Sequence, residues 1–319
     1  MNYRLLGRTG LKISEIGLGS WTTFGGTVDD AGASEIVRAA FDSGINFFDT
    51  ADVYAAGKAE ETLGRAIAPL PRREIVLATK LHFRSWPGSF GRGHSRKHII
   101  ESVEASLTRL GVDYIDLLQT HYPDVDTPLE TSLRAFDDLI RQGKILVAGC
   151  SNYTAAEMCE AMLAAQRSNV TRFESSQPEY SMLFRHIEAE DLAFCGRHRI
   201  GVVCYSPLAE GVLSGKYKSV EKLPRDSRLT KLARKCPHLT VENVARVRKL
   251  KRIAGKIGCT MAQLAIAWVL RRPEITCAIT GASRPAQVAE NVKAAEVKLD
   301  AETLERIEKV LGNQPKKPW

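Results

Sequence analysis

At 319 residues, 44% of them hydrophobic and 26% charged, the chain can bury a large core, and its length fits two domains or one α/β barrel. Its net charge of +8 and pI near 9.1 come from basic residues spread along the chain, not gathered into an arm. That spread argues against nucleic acid as a partner and points to small anionic ligands.

No two of the seven cysteines, Cys150, Cys159, Cys195, Cys204, Cys236, Cys259 and Cys277, form a C-x-x-C pair. Reduced thiols and a cytoplasmic location are therefore expected. Arg4, Arg8 and Lys12 interrupt any leader-like apolar run, and no segment approaches the ~20 apolar residues of a membrane span. No membrane partner is expected.

In chain order, Tyr3 to Ile13 reads as a hairpin turning at Gly7-Arg8-Thr9-Gly10. Strands and helices then alternate. The first strand is Glu15–Gly19, and a helix over Ala33–Ser43 carries Ile36, Val37, Ala40 and Phe41 on one face. The second strand ends at Asp49, and a helix covers Glu60–Ala68. The third strand is Ile75–Thr79, followed by a helix from near Ser95 to Gly111. After the fourth strand, Ile115–Gln119, Thr127-Pro128-Leu129-Glu130 reads as a capping box. The fifth strand, Ile145–Gly149, precedes a second box at Thr154–Glu157. The sixth strand is placed near Thr171–Ser175 and the seventh at Gly201–Tyr205. A basic loop, Lys216–Leu239, leads to helices over Val241–Lys256 and Met261–Leu270. The eighth strand is Thr276–Ile279, with helices from Pro285 and over Ala301–Leu311.

Eight such units imply a parallel sheet, and eight can close into a (β/α)8 TIM barrel. An open doubly wound sheet would show a glycine fingerprint after its first strand, and Gly17-Leu18-Gly19-Ser20-Trp21-Thr22 lacks the third glycine. The expectation is a single barrel domain over residues 1–319, with an N-terminal β-hairpin and an extra C-terminal helix.

The strand ends carry the chemistry. The second strand delivers Asp49 and then Tyr54, the third Lys80, and the fourth His121. In a closed barrel these meet at one face. A phenol is a weak acid near neutrality, with an ordinary pKa of about 10, and an adjacent ammonium would favour its phenolate. Asp49 would keep Lys80 protonated, and His121 would orient a substrate oxygen. This constellation suits proton transfer to a carbonyl. A barrel aldolase using Lys80 as a Schiff base is the competitor, opposed by a paired Asp49.

The stretches GINFFDTADVY (44–54), ATK ending at Lys80, YIDLLQTHYPD around His121, GCSNY (149–153), YSPLAEGVLSGKY (205–217) and GASRPAQVAEN (281–291) together resemble the aldo-keto reductases over essentially the whole chain. The branch resembled contains voltage-gated potassium channel β subunits and bacterial enzyme relatives. That channel branch often lacks the histidine kept here as His121, so an active reductase is expected and a channel-docking role is not carried over. The resemblance implies a catalytic tetrad of Asp49, Tyr54, Lys80 and His121, with Tyr54 as proton donor and NADP(H) as cofactor.

It also implies cofactor contacts. Ser151, Asn152 and Gln177 would grip the carboxamide and Tyr205 would stack on the nicotinamide, while Ser20 and Trp21 would flank ring and pocket. Ser206, Pro207, Leu208, Ala209, Lys216 and Arg228 would follow the pyrophosphate. Gly281, Ala282, Ser283, Gln287, Glu290 and Asn291 would hold the adenosine end. The residues themselves agree in part: Lys216–Leu239 holds eight Lys and Arg against two acids, and the helix start near Pro285 offers free N–H groups beside Ser283, Arg284 and Gln287. Phe83, Trp86 and Phe90, on the loop after the third strand, are expected to wall the substrate pocket with Trp21. His94 and His98 have a spacing a metal could use, but no third ligand, so no metal is assigned. A catalytically weak, cofactor-sensing protein is the alternative to an enzyme.

Overall fold

A computed structural model describes residues 1–224, 227–231 and 235–315, apart from the side chains of Arg228 and Lys231. Strands β1 (Tyr3–Leu5) and β2 (Lys12–Ser14) pair antiparallel. Eight more form a closed parallel ring: β3 (Ile16–Gly19), β4 (Phe47–Asp49), β5 (Val76–Leu81), β6 (Ile115–Thr120), β7 (Ile145–Ser151), β8 (Ser175–Gln177), β9 (Gly201–Cys204) and β10 (Ile275–Thr280). They neighbour one another in chain order, and β10 pairs back onto β3. This is the (β/α)8 barrel with a hairpin that the alternation predicts.

The helices are α1 (Asp30–Asp42), α2 (Lys58–Ile67), α3 (Arg96–Leu110), α4 (Leu129–Arg141), α5 (Ala155–Ser168), α6 (Asp191–His198), α7 (Arg228–Lys231), α8 (Val241–Lys256), α9 (Met261–Leu270), α10 (Pro285–Val292) and α11 (Ala301–Leu311). Thr154–Glu157 forms the expected reciprocal capping box of α5, and Thr260–Gln263 forms another at α9. The α3 helix stops where Gly111 turns left-handed, φ 66°. At residue 64 only glycine fits, because a Cβ there would lie 2.4 Å from the Leu110 carbonyl oxygen. The added C-terminal helix α11 packs on α8.

Two cores result. The larger lies between strands and helices, with Ile36, Phe48, Leu118, Phe136 and Trp268 fully buried. The smaller fills the barrel itself: Phe47, Val76, Ala78, Leu117, Val147 and Val203 point inward, and Leu6 and Ile13 of the hairpin close the floor beneath them. Each of those two side chains, fully buried, contributes about 1.5–3 kcal/mol. Arg4 and Glu15, 3.0 Å apart, pin the hairpin to the rim, with Arg4 also donating to the Ile275 carbonyl oxygen at 2.6 Å. The other end of the barrel is left for a site.

Several expectations need correction. The sixth strand is Ser175–Gln177, not Thr171–Ser175: its residues are polar, so no apolar pattern marks them, and the strand starts four residues later than expected. The α1 helix starts three residues before Ala33, capped by Asp29. Thr127 does not cap α4; its hydroxyl donates to Asp124 at 2.8 Å, and extended Pro128 stands at the N-cap. The short α6, with only Leu192 and Cys195 buried, carries too small an apolar stripe to read from sequence. No single helix among the described residues is long and apolar enough to cross a membrane.

Candidate active site

Asp49 ends β4 and Lys80 sits near the end of β5, on adjacent strands. Lys80 Nζ donates to Asp49 Oδ2 at 2.6 Å and to the Thr50 carbonyl oxygen at 2.7 Å. Both side chains are almost wholly buried, 1% and 5% exposed, so each is paired where an isolated charge would be very costly. Burial pulls the Lys80 ammonium below its ordinary pKa; Asp49 chiefly, then Asp52 and Glu60, oppose it.

Tyr54 follows on a turn held in an uncommon backbone. Ala55 and Ala56 have φ of 49° and 55°, and Gly57 of 89°. Non-glycine residues held so cost about 1–3 kcal/mol each and persist where surrounding structure over-determines them. The result places the phenol ring 5.1 Å from Lys80 Nζ and edge-on to His121, centroids 5.6 Å apart. His121 is largely buried. Burial, with the Lys80 charge and His82 adding to it, pushes its pKa down to about 2, so the imidazole is neutral. Asp49, Tyr54, Lys80 and His121 thus come together at one end of the barrel.

They border a cavity of about 1040 Å³. Asp49, Tyr54 and His121 are on its wall, while Lys80 lies behind them. Trp21, Ser151, Asn152, Gln177, Tyr205, Ser206, Pro207, Leu208 and Lys216 line it, and Gly281, Ala282, Ser283, Gln287, Glu290 and Asn291 continue the wall. Gln177 Nε2 donates to Asp49 Oδ1 at 2.9 Å, and Tyr205 donates to Asn152 Oδ1 at 2.8 Å. Backbone in the left-handed region clusters here, at Asn152, Ser206, Ala209 and Glu210. Two of the residues assigned to the cofactor are not on the wall. Ser20 is buried, donating to the Thr50 hydroxyl at 2.8 Å, and Ala209 is fully buried. The side chain of Arg228 lies outside the described residues.

Of the loop aromatics, Phe83 lines the cavity, 5.0 Å from His121 between ring centroids. Trp86 does not: its ring turns back onto His98, 4.8 Å away, and so supports the loop rather than the pocket. Phe90 is 60% exposed and also off the wall. His94 and His98 serve packing: His94 meets His82 at 3.2 Å, and His98 Nδ1 donates to the Gly93 carbonyl oxygen at 2.7 Å. Among the described residues, no group of three or more His, Cys, Asp or Glu side chains could hold a metal ion.

Sequence reasoning missed several residues. Tyr122 lines the cavity beside Phe83, their rings 5.5 Å apart. Glu179 and His238, 2.8 Å apart, join the barrel wall to the end of the basic loop. Buried Asp52 and Glu60, with half-buried Arg109, form a charge group under the tetrad. Asp52 stands two residues before Tyr54, and that proximity was the one available signal.

Residues 15–311 match the model of the aldo/keto reductase family. The chain belongs to the aldo/keto reductase family. It is 43% identical over 326 residues to a "Probable voltage-gated potassium channel subunit beta" of Arabidopsis thaliana, spanning 100% of this chain and 99% of the relative. A protein so named from Oryza sativa subsp. japonica is 39% identical over 327 residues, covering 99% and 98%. A "Putative voltage-gated potassium channel subunit beta" of Schizosaccharomyces pombe is 40% identical over 329 residues, covering 98% and 94%. This aldo/keto reductase therefore aligns with its relatives from end to end.

Proposed function

We propose that the chain is an NADPH-dependent reductase of aldehydes or ketones. The observation that carries this reading is the buried Asp49–Lys80 pair directly behind Tyr54, with neutral His121 beside it on the cavity wall. The residues fit the cofactor: about 1040 Å³ exceeds the ~300–1,000 Å³ of an ordinary ligand pocket and leaves room for a second small molecule. The polar amides of Asn152 and Gln177 would meet the carboxamide, and Tyr205 would offer an aromatic face. Lys216 and the N-terminus of α10, with Ser283, Arg284 and Gln287, would hold the phosphates, which favours NADP over NAD.

When bound, the cofactor would supply the hydride to the carbonyl carbon. The protein's own work is at oxygen. Tyr54 gives its proton to the carbonyl oxygen, and His121, uncharged, can donate a hydrogen bond to that oxygen without competing as an acid. Lys80, held charged by Asp49, stabilises the phenolate that remains until solvent returns a proton. The Schiff-base alternative fits poorly, because Lys80 is 1% exposed, spent on two acceptors and off the cavity wall.

Tyr54→Phe tests the reading. Aldehyde-dependent NADPH oxidation should fall by 100-fold or more, while NADPH binding, followed by fluorescence, stays within a few-fold of wild type. Full activity would remove Tyr54 as the donor. The relatives' names, which describe channel subunits, favour a second reading: a cofactor-sensing binding protein with little turnover. Tight NADPH binding with no oxidation across a broad aldehyde panel would select it.

A further inference from the structure

Beneath the tetrad, buried charges do not balance. Asp49 is paired with Lys80. Glu60 of α2, fully buried, is paired with Arg109 of α3 at 2.6 Å and also accepts from the Thr79 hydroxyl at 2.6 Å. Asp52 is the third carboxylate, and no third cation meets it among the described residues. It is 3% exposed, and its Oδ1 is buried without a hydrogen-bond partner among the described residues.

Its other oxygen, Oδ2, accepts from Ser85 Oγ at 2.6 Å. Ser85 belongs to the loop between β5 and α3 that carries Phe83 to the cavity. Its N–H donates to the Gly91 carbonyl oxygen at 2.9 Å, closing that loop on itself. On the other side, the Asp52 N–H donates to the Lys80 carbonyl oxygen at 3.1 Å, and the Tyr54 turn begins two residues on. One side-chain hydrogen bond therefore joins the segment that aims the phenol to the loop that walls the pocket.

We propose that Asp52 is a positioning residue: as a carboxylate it grips Ser85, and through Ser85 it fixes the Phe83 loop against the Tyr54 turn and sets how an apolar or aromatic carbonyl compound is seated. A hydroxyl donating to a charged carboxylate makes a bond roughly twice as strong as one to a neutral acid. The groups acting on Asp52 are the Val53 N–H on its own segment, Lys80 from β5, Glu60 from α2, Arg109 from α3 and Ser85 from the loop. Burial raises its pKa to about 7, with Ser85 lowering it and Glu60 raising it. The strength of the grip thus changes across the neutral range: firm above it, weaker below. Only the seating of substrate rests on the reductase reading; the grip on the loop does not.

Amide hydrogen exchange on the full chain tests it, read over residues 83–92 in wild type, Ser85→Ala, Asp52→Asn and the double variant at pH 6 and 8, corrected for intrinsic rates. At pH 8, Ser85→Ala should speed loop exchange by about tenfold, but by less than about threefold when Asp52 is already Asn. Wild-type protection should fall severalfold from pH 8 to pH 6 and stay constant in Asp52→Asn. Unchanged exchange in Ser85→Ala, or effects that simply multiply in the double variant, would overturn the proposal. With benzaldehyde and NADPH, Ser85→Ala should raise KM severalfold and leave kcat within about twofold. If wild type turned over no carbonyl compound, the reductase reading would fall, and the exchange data would still decide the role of Asp52.

Discussion

Replacing Asp52 with asparagine should make the protein more stable at alkaline pH and no more stable in acid. In the folded chain the Asp52 carboxyl has its pKa raised to about 7, first by burial. Its unfolded value is ~3.9. That gap of about three pH units is worth about 4 kcal/mol. The sign follows from where the proton is held. The folded state keeps the proton that the unfolded state releases, so the wild-type contribution is whole below about pH 4 and is lost as pH rises through 7. Asparagine keeps the shape, still accepts from Ser85 and never ionises. The stability of Asp52→Asn relative to wild type should therefore grow from near zero at pH 4 to about 4 kcal/mol at pH 8. Urea unfolding at four or five pH values, with midpoints and slopes compared, measures this. Parallel curves, with a constant gap between variant and wild type, would mean that Asp52 is already ionised in the folded chain and that Arg109 or Lys80 neutralises it.

Because His121 is neutral at any pH near 7, its titration should contribute no inflection to the pH–rate profile between pH 5 and 8; an inflection there that vanishes in His121→Asn would contradict this. Phe83→Ala should raise KM for an aryl aldehyde severalfold, whereas Trp86→Ala, which removes a ring packed on His98, should change KM less than about twofold while lowering the thermal midpoint. Gly64→Ala forces a methyl against the Leu110 carbonyl and should destabilise by about 1–3 kcal/mol, read as a lower urea midpoint with activity per folded molecule retained.

How much of this could be read in advance depended on whether a residue's role is local or relational. Asp49, Lys80 and His121 stand at the ends of three successive strands, and barrel closure alone brings strand ends together. Their convergence was therefore legible once eight units had been counted. The direction of Trp86 was not, because a loop aromatic can turn to the pocket or to its own helix, and only the position of His98 decides. Asp52 was hidden for a related reason. An acid two residues before a tyrosine looks like many solvent-facing acids, and its isolation becomes visible only when Lys80 and Arg109 are seen to be taken by Asp49 and Glu60. The sixth barrel strand, Ser175–Gln177, escaped because it is short and its buried side chains are polar. Thr127 misled by matching a helix-start pattern while a nearer acceptor, Asp124, claimed its hydroxyl.

The hairpin that carries Leu6 and Ile13 acts as a stopper. With that end closed among the described residues, the cavity beside Tyr54 is reached from the opposite end of the barrel. On the proposed reading, cofactor and substrate would share that end as a doorway, and with one seated deeper, entry and exit should fall into a fixed queue. Opening the base, by replacing Leu6 and Ile13 with small residues, would loosen the barrel's packing but would not make a second door, because the inward layer of Phe47, Leu117 and Val203 would still bar the way.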